Sequence, residues 1–368
     1  MRFEKKKIVF FMNAITLTRC IKRVEEFIDN GYEIDAYGFD RGGETYAQPS
    51  KFEIKVIGSH NISQSYSSRL KTIYKSMKPI IKKYKKQDVL FYYFFFDVAF
   101  VARLITKRPF IYEESDIPYT NIGNSMLRGF LGRVDKRMIE RSLLTVMTSE
   151  GFIDYHFGDE RPKNIIVVPN RVNPKLSEFE YQNKPIDINH LKFAFVGGFR
   201  YASVLNFATV IAEHFSQHEF HAYGNIVENK NALEELVNQY SNVFFHGTFK
   251  NPDELPGIYE KIDVVLATYD ATSINAQYAE PNKLYESIYF RTPIVVSSNT
   301  FLAKKVNRLG IGYGINALNK EEIVSFIKSL TLEDLKNKQM ASSSIPKESA
   351  TNTNPEIFKY LAIIFEAK

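Results

Sequence analysis

The sequence predicts an α/β fold built from two doubly wound parallel sheets. Short apolar segments alternate with helix-like segments along the chain, a pattern typical of a parallel sheet covered by helices on both faces. The length of 368 residues exceeds the usual size of a single domain. The alternation lapses once, between Asn173 and His190, and then starts again. These observations predict two similar domains joined by a linker.

The first domain is predicted to span residues 1–175 and the linker residues 176–190. Apolar runs of strand length indicate the strands of the first sheet, and longer runs with helical spacing indicate its helices. The predicted strands are Ile8–Met12, Tyr32–Tyr37, Phe52–Ile57, Val89–Phe96, Phe110–Glu113, Val146–Thr148 and Ile165–Val168. The predicted helices are Ile21–Asn30, Arg69–Lys86 and Arg128–Leu144.

The second domain is predicted to span residues 191–345, and residues 346–368 form a tail with a final helix at Pro355–Glu366. Apolar residues recur at helical spacing in that final helix, so one side of it must be buried. The predicted strands are Leu191–Val196, Glu219–Tyr223, Val243–Phe245, Val264–Thr268 and Ile294–Ser297. One predicted helix starts at Ser203. The others cover Asn231–Tyr240, Pro252–Glu260 and Lys320–Leu330.

The composition is globular and excludes several classes of function. The single cysteine, Cys20, excludes an intrachain disulfide and a multi-cysteine zinc site. The net charge of +6 fits acidic substrates or an anionic membrane surface, but it is too small to indicate nucleic acid. No apolar run has the length of a spanning helix, and the N-terminal segment lacks the features of a signal peptide. We expect a cytoplasmic protein, at most peripheral to the inner face of the cell membrane.

The segment Glu280–Ser297 carries the clearest functional pattern. Pro281 is expected at the first helical position, where its missing N–H has no intrahelical partner. The free amides of that turn, with the charge of Lys283, form an anion site. Asn282 and Glu286 share a helix face with Lys283, and Glu286 lies about 6 Å further along the axis. That spacing suits a nucleoside diphosphate, with a carboxylate on the ribose; the alternative is an ordinary charged αβ unit.

Other polar groups are less specific. Three carboxylates in Tyr112–Pro118 follow a strand, and Asp116 and then Glu114 are the candidates to orient or deprotonate a substrate hydroxyl; a solvated acidic turn is the alternative. The glycines of Leu309–Gly314 are interpreted as a turn, because they do not connect a strand to a helix. His214 and His218 are interpreted as surface residues, and no metal is expected.

The basic segment Ser67–Lys86 has apolar residues at helical spacing, so one face of the helix can be buried while a basic face remains exposed. Such a helix can lie on anionic lipid. The alternative, an ordinary surface helix of the first sheet, is favoured slightly.

The second half resembles the GT-B glycosyltransferases, and in particular the large retaining group often called glycosyltransferase family 4. Three segments carry the resemblance, in a consistent order across residues 191–330. They are Phe195-Val196-Gly197-Gly198-Phe199-Arg200, the run from His246 to Leu266, and Pro281–Ser297.

The resemblance implies two Rossmann-like domains facing a cleft, with the final helix crossing back to the first domain. It implies a nucleoside diphosphate sugar held mainly by the second domain and an acceptor held mainly by the first, without a cofactor. The donor-binding residues it implies are Gly198, Arg200, Pro281, Asn282, Lys283, Leu284 and Glu286, with Arg200 also stabilising the leaving diphosphate.

The expected activity is transfer of a sugar to a hydroxyl of a glycan or lipid-linked oligosaccharide, with retention, in surface polysaccharide biosynthesis. Two rivals remain open: a nucleotide-sugar epimerase of similar architecture, and a non-catalytic nucleotide-sugar-binding protein. The second arises because Tyr278 lies eight positions before Glu286, where many relatives carry a second glutamate. Release of nucleoside diphosphate only in the presence of acceptor would separate the three.

Overall fold

The computed structural model describes residues 7–41, 48–49, 51–60, 64–179, 184–352 and 354–366. The chain forms two compact units. The first comprises the described residues up to Val168 together with those from Asn354 onward, and the second runs from Pro169 to residue 353. The predicted linker, residues 176–190, lies partly outside the described residues.

The first unit contains a parallel sheet of seven strands in the order β3-β2-β1-β4-β5-β6-β7. The order reverses between β1 and β4, as in a doubly wound fold. The strands are β1 (Lys7–Met12), β2 (Ile34–Asp40), β3 (Ile54–Ser59), β4 (Val89–Phe94), β5 (Phe110–Glu114), β6 (Leu144–Met147) and β7 (Ile165–Val167).

Helices connect these strands. They are α1 (Thr18–Asp29), α2 (Tyr66–Lys83), α3 (Phe96–Ile105), α4 (Ser125–Arg141) and α5 (Glu150–Phe157). Helix α3 contacts both α2 and α4, so these three form one layer. The prediction ran strand β4 on to Phe96 and missed α3. Phe95 has a positive φ of 68°, which turns the chain from the strand directly into a helix of apolar residues.

The second unit contains a parallel sheet of six strands in the order β10-β9-β8-β11-β12-β13. The strands are β8 (Lys192–Val196), β9 (Glu219–Tyr223), β10 (Val243–Phe245), β11 (Val264–Ala267), β12 (Ile294–Ser297) and β13 (Gly312–Ile315). The helices are α6 (Ala202–His214), α7 (Lys230–Gln239), α8 (Leu255–Tyr259), α9 (Ile274–Tyr278), α10 (Asn282–Tyr289), α11 (Phe301–Leu309), α12 (Lys320–Ser329), α13 (Leu332–Ser343) and α14 (Lys347–Ala350).

The interpretation of Leu309–Gly314 as a turn was wrong, because β13 begins at Gly312 and pairs with β12. A Cβ atom at Gly312 would lie 2.0 Å from the carbonyl oxygen of Ile294. The glycine is therefore required by the close approach of two strands, and it does not mark the end of regular structure.

The final helix, α15 (Pro355–Glu366), belongs to the first unit, as the resemblance implied. Ile357 and Leu361 are fully buried in the core that contains Phe10 and Phe27. The rings of Phe358 and Phe27 meet edge to face at 5.1 Å. Among the described residues, no helix is both long enough and apolar enough to cross a membrane.

Candidate functional site

The candidate site of the second unit lies where the strand order of its sheet reverses, between β8 and β11. Open α/β sheets bind ligands at the carboxyl ends of the strands at this point. The segment Gly197–Arg200 follows β8, and Tyr269 follows β11. The glycines and Arg200, singled out in the sequence, therefore occupy the position at which such sheets bind ligands.

The backbone of the loop after β8 lies very close to Gly224, the residue that follows β9. Gly197 and Gly224 have positive φ angles of 154° and 128°. A Cβ atom at Gly224 would lie 2.1 Å from the carbonyl oxygen of Gly197. A Cβ atom at Gly197 would lie 4.0 Å from Cε of Lys283, and one at Gly198 would lie 3.3 Å from Nη2 of Arg200. The loop therefore lies beside both cationic side chains.

Helix α10 begins one residue later than predicted. Pro281 has an extended ψ of 157° and precedes the first helical residue, Asn282, so it is the N-cap residue. A proline fits there because its fixed φ is compatible with an extended residue as well as a helical one. Within the described part of the chain, the backbone amides of Asn282 and Lys283 donate no hydrogen bond. They remain available to an anion at the start of the helix.

The carboxylate of Glu286 is the centre of a buried hydrogen-bond network. Its Oε2 accepts from Nζ of Lys283 and from the hydroxyl of Tyr259, each at 2.7 Å. Its Oε1 accepts from Nδ2 of Asn282 at 2.8 Å. The structure thus brings together the three residues that helical spacing placed on one face. Tyr259 was not predicted, because it comes from α8 and only the tertiary fold brings it to this carboxylate.

The side chain of Arg200 is exposed, and among the described residues it forms no ion pair. Its guanidinium lies 5.8 Å from the ring of Tyr201, which in turn packs against Tyr269 at 4.7 Å. Burial raises the pKa of Tyr269, with smaller contributions from Tyr201 and Glu286, and the charge of Arg200 opposes this shift. Tyr269, another residue the sequence did not single out, therefore lies within electrostatic reach of both Arg200 and Glu286.

The N-terminus of α6 is already occupied by a carboxylate from the same unit. Asp270 accepts hydrogen bonds from the backbone amides of Ala202 at 3.0 Å and Ser203 at 2.9 Å. Acidic side chains stabilise a helix at this end. The start of α10, and not the start of α6, is therefore the helix N-terminus that is available to an anion.

Two residues near this site are buried and make contacts within the second unit. The Leu284 side chain is fully buried in the core, and its amide donates to the carbonyl of Pro281 at 3.2 Å. The expected donor contact from Leu284 is therefore not supported by its position. Glu280 is also buried, and it accepts hydrogen bonds from Tyr285 and from Lys305, at 2.7 and 2.6 Å. These contacts hold the carboxylate of Glu280 between α10 and α11.

In the first unit, the adjacent residues Glu113 and Glu114 contribute to different networks. Glu113 is buried and accepts from Nε of Arg19 at 2.7 Å and Nε of Arg23 at 3.0 Å. Burial alone would raise the pKa of Glu113, but the charges of Arg23 and Arg19 hold it below its ordinary value. Glu113 is therefore an ionised carboxylate that ties β5 to α1.

Glu114 is also fully buried, and its Oε1 lies 2.9 Å from Nε2 of His156. Asp135 on α4 lies 3.8 Å from the same nitrogen and accepts from the hydroxyl of Tyr112 at 3.0 Å. Burial raises the pKa of both carboxyls well above their ordinary values and lowers that of His156. Ligand atoms of these three residues lie within 4.8 Å of one another, a spacing that suits a divalent cation. Of the three residues, only Glu114 was singled out in the sequence, because the members of the cluster come from three separate elements.

Asp116 differs from both glutamates because it is exposed in the loop after β5. The carboxylate of Glu114 is buried and lies against His156, whereas Asp116 is exposed. Of the two predicted acceptor residues, Asp116 is the one whose side chain is exposed.

Comparisons with known proteins give structural matches only. No family model matches the sequence, and no curated protein matches it either. The fold matches sucrose-phosphate synthase from Thermosynechococcus elongatus with a TM-score of 0.71 at 12% identity, covering 99% of this chain and 100% of the other. It matches Anabaena HepE in complex with UDP and glucose with a TM-score of 0.63 at 16% identity, covering 97% and 99% of the two chains.

A putative UDP-N-acetylglucosamine 2-epimerase from Listeria monocytogenes matches with a TM-score of 0.59 at 13% identity, covering 95% of this chain and 92% of the other. Similarity over nearly the whole of each chain, at such low identity, establishes the architecture. The protein has the GT-B fold, as its sequence motifs implied.

Proposed function

We propose that this protein is a glycosyltransferase that moves a sugar from a nucleoside diphosphate sugar to a hydroxyl of a glycan or lipid-linked oligosaccharide. The observation that supports it most is the start of α10. Two amides that bond to no described residue, the ammonium of Lys283 and the carboxylate of Glu286 lie there within one helical turn. The first three groups attract a diphosphate, and the carboxylate can accept hydrogen bonds from ribose hydroxyls.

In the proposed reaction the bond between the anomeric carbon and the diphosphate oxygen breaks, and its electron pair stays on the diphosphate. Arg200, exposed and without an ion-pair partner in the described chain, stabilises that developing charge. The acceptor oxygen forms the new bond to the anomeric carbon. Asp116 in the first unit orients the acceptor hydroxyl and takes its proton, while Glu114 remains in polar contact with His156.

Three finer features belong to the same proposal. Retention of the anomeric configuration and a role in surface polysaccharide biosynthesis follow from the family that the motifs resemble. A cytoplasmic location at the inner face of the membrane would give access to a lipid-linked acceptor. HepE was solved with UDP and glucose, which supports a nucleotide-sugar donor for this chain.

The test is release of nucleoside diphosphate from a panel of nucleotide sugars, with and without a polyprenyl-diphosphate-linked sugar or a free oligosaccharide. A transferase releases diphosphate in proportion to added acceptor, and the product gains one sugar. The structural likeness to the putative epimerase makes epimerisation the second candidate, which would convert the nucleotide sugar without an acceptor. If the protein binds a nucleotide sugar but catalyses neither reaction, it is a non-catalytic nucleotide-sugar-binding protein.

A further inference from the structure

The outer surface of helices α3 and α4 in the first unit carries large apolar side chains that are exposed. Met126 is 81% exposed, Leu104 62%, Phe130 51% and Leu127 43%. Scattered single apolar residues are ordinary on a protein surface, but a group on two adjacent helices indicates an interaction site. We call this group, with the basic residues described next, the α3–α4 surface.

Basic side chains continue the same surface. Along α4, the exposed residues follow the helical spacing of one face, apolar in the first turns and basic in the later ones. The residues of this face are Met126, Phe130, Arg133, Arg137 and Arg141. The opposite face of α4, including Leu131 and Met138, is buried. The exposed face is therefore not required for packing within the first unit.

A shallow pocket of about 260 Å³ lies between the two helices. Apolar side chains, including Phe100, Val134 and Met138, contribute to its lining, and so do Lys107 and Arg137. Arg103 also lines it, but its guanidinium is bound to the carbonyls of Thr106 and Arg108.

The charge of the surface is strongly one-sided. In the described part of the chain, Lys107, Arg137 and Arg141 form no ion pair with a carboxylate. Helix α4 has one exposed acid, Glu140, because Asp135 is buried. The adjacent helix α2 has no acidic residue and exposes further lysines on one face. They are Lys71, Lys75, Lys78 and Lys82.

We propose that the α3–α4 surface, extended by the basic face of α2, docks on an anionic lipid bilayer. Exposed Met, Leu and Phe beside unpaired Lys and Arg match the boundary between acyl chains and anionic headgroups. Nucleic acid would use the basic groups but leave the apolar ones in water. A second copy of this chain, related by a two-fold axis, would bring like charges together. The proposal does not depend on the transferase activity, because a bilayer can be bound whether or not the donor site is active.

The test is sedimentation of the full chain with vesicles of phosphatidylcholine alone or mixed with phosphatidylglycerol, in 0.1 M salt. We expect binding to the anionic vesicles only, and its loss in 1 M salt because screening weakens the attraction. Equal sedimentation with both vesicle types, or with neither, would overturn the proposal. An acidic protein partner would be consistent with the second result.

Two variants, each with a matched control, test whether the α3–α4 surface is the part of the protein that binds vesicles. Lys107→Gln/Arg137→Gln/Arg141→Gln should lower the vesicle partition coefficient roughly a hundredfold, at about fivefold for each charge near the membrane. The control Lys320→Gln/Lys328→Gln/Lys336→Gln removes three exposed charges from the second unit and should lower it far less. An equal loss in both variants would mean that only total charge matters, and would overturn the assignment.

A second variant and its control test how much the apolar side chains contribute to vesicle binding. Met126→Ser/Phe130→Ser should lower partitioning at least tenfold, because two side chains no longer enter the acyl boundary. The control Leu318→Ser/Met340→Ser changes two exposed apolar residues of the second unit and should have little effect. All changed positions are solvent-exposed or line the surface, so unchanged thermal unfolding midpoints would confirm that the variants fold. Retained binding in Met126→Ser/Phe130→Ser would contradict docking through α4.

Discussion

The ammonium of Lys283 lies 2.7 Å from Oε2 of Glu286, and both side chains are almost fully buried. The sequence predicts that these residues share a helix face, but not that they are bound to each other. A buried ion pair that loses one partner leaves an uncompensated charge, which costs about 3–5 kcal/mol. Stability and ligand binding are therefore coupled at these two positions.

The first prediction separates those two roles. Lys283→Met should lower the free energy of unfolding, because it leaves Glu286 buried beside only neutral donors. Lys283→Met/Glu286→Gln should recover part of that loss, since neither charge remains. Nucleoside diphosphate affinity, measured by calorimetry, should stay at least tenfold weaker in the double variant, because charge-assisted hydrogen bonds to ligand contribute roughly 1.5–3 kcal/mol. Recovery of affinity together with stability would show that the pair is structural only.

The second prediction concerns Arg200, whose side chain is exposed. Arg200→Ala should reduce kcat by about 10²–10³-fold, as removal of one group that stabilises developing charge commonly does. Donor affinity should fall much less, because the charge on the leaving diphosphate grows only as the bond breaks. Steady-state kinetics in the presence of acceptor would measure both. A raised KM with unchanged kcat would mean that Arg200 binds the substrate and the transition state equally well.

The third prediction concerns Asp116. Asp116→Asn should slow sugar transfer by about 10²-fold or more if its carboxylate takes the acceptor proton. Nucleotide affinity should not change, because every residue assigned to the donor belongs to the second unit. Single-turnover transfer and nucleotide titration on the same preparation measure the two effects. Normal transfer in this variant would remove Asp116 from the reaction.

The fourth prediction uses the pH dependence of stability. Burial, with a smaller effect of Asp116, raises the pKa of Glu114 well above its ordinary value. Because the pKa of Glu114 is raised in the folded state, its carboxyl makes its full contribution to the free energy of unfolding below about pH 4.3. That contribution is lost as the pH rises through the folded-state pKa. Glu114→Gln cannot ionise, so its free energy of unfolding should increase relative to that of the wild type between pH 4 and pH 8.

Chemical denaturation at several pH values measures this difference. Asp135 and His156 face Glu114 and remain in both proteins, so their own titration contributes to both curves. Glu321→Gln, at an exposed position of α12, serves as the control and should follow the wild type. A constant difference between Glu114→Gln and the wild type would mean that Glu114 is ionised in the folded protein.

The fifth prediction tests the final helix. Leu361 is fully buried in the first unit, whereas Ile363, two residues further on, is 66% exposed. Leu361→Ala should lower the free energy of unfolding by about 2–5 kcal/mol, because it leaves a cavity. Ile363→Ala on the same helix should change it by less than about 0.5 kcal/mol. Equal effects in thermal or denaturant unfolding would contradict the packing of α15.

Sequence patterns predicted the fold where each element has a distinct periodicity. Strand β12 has the predicted bounds, and the face shared by Asn282, Lys283 and Glu286 follows from helical spacing alone. Helix α3 was missed because β4 and α3 are both buried and apolar, so periodicity does not change at Phe95. The contacts of Glu286 with Tyr259, and of Glu114 with His156, join residues 27 and 42 positions apart. Local spacing carries no information about such contacts.

In the proposed function, the start of α10 holds the diphosphate of a nucleotide-sugar donor. Calorimetric titration of UDP, GDP, ADP and TDP into the protein measures this binding. We predict that at least one nucleotide binds with one site per chain, and that Lys283→Met/Glu286→Gln weakens that binding at least tenfold. Absence of binding by all four, or the same affinity in the wild type and the double variant, would mean that the start of α10 does not hold a diphosphate.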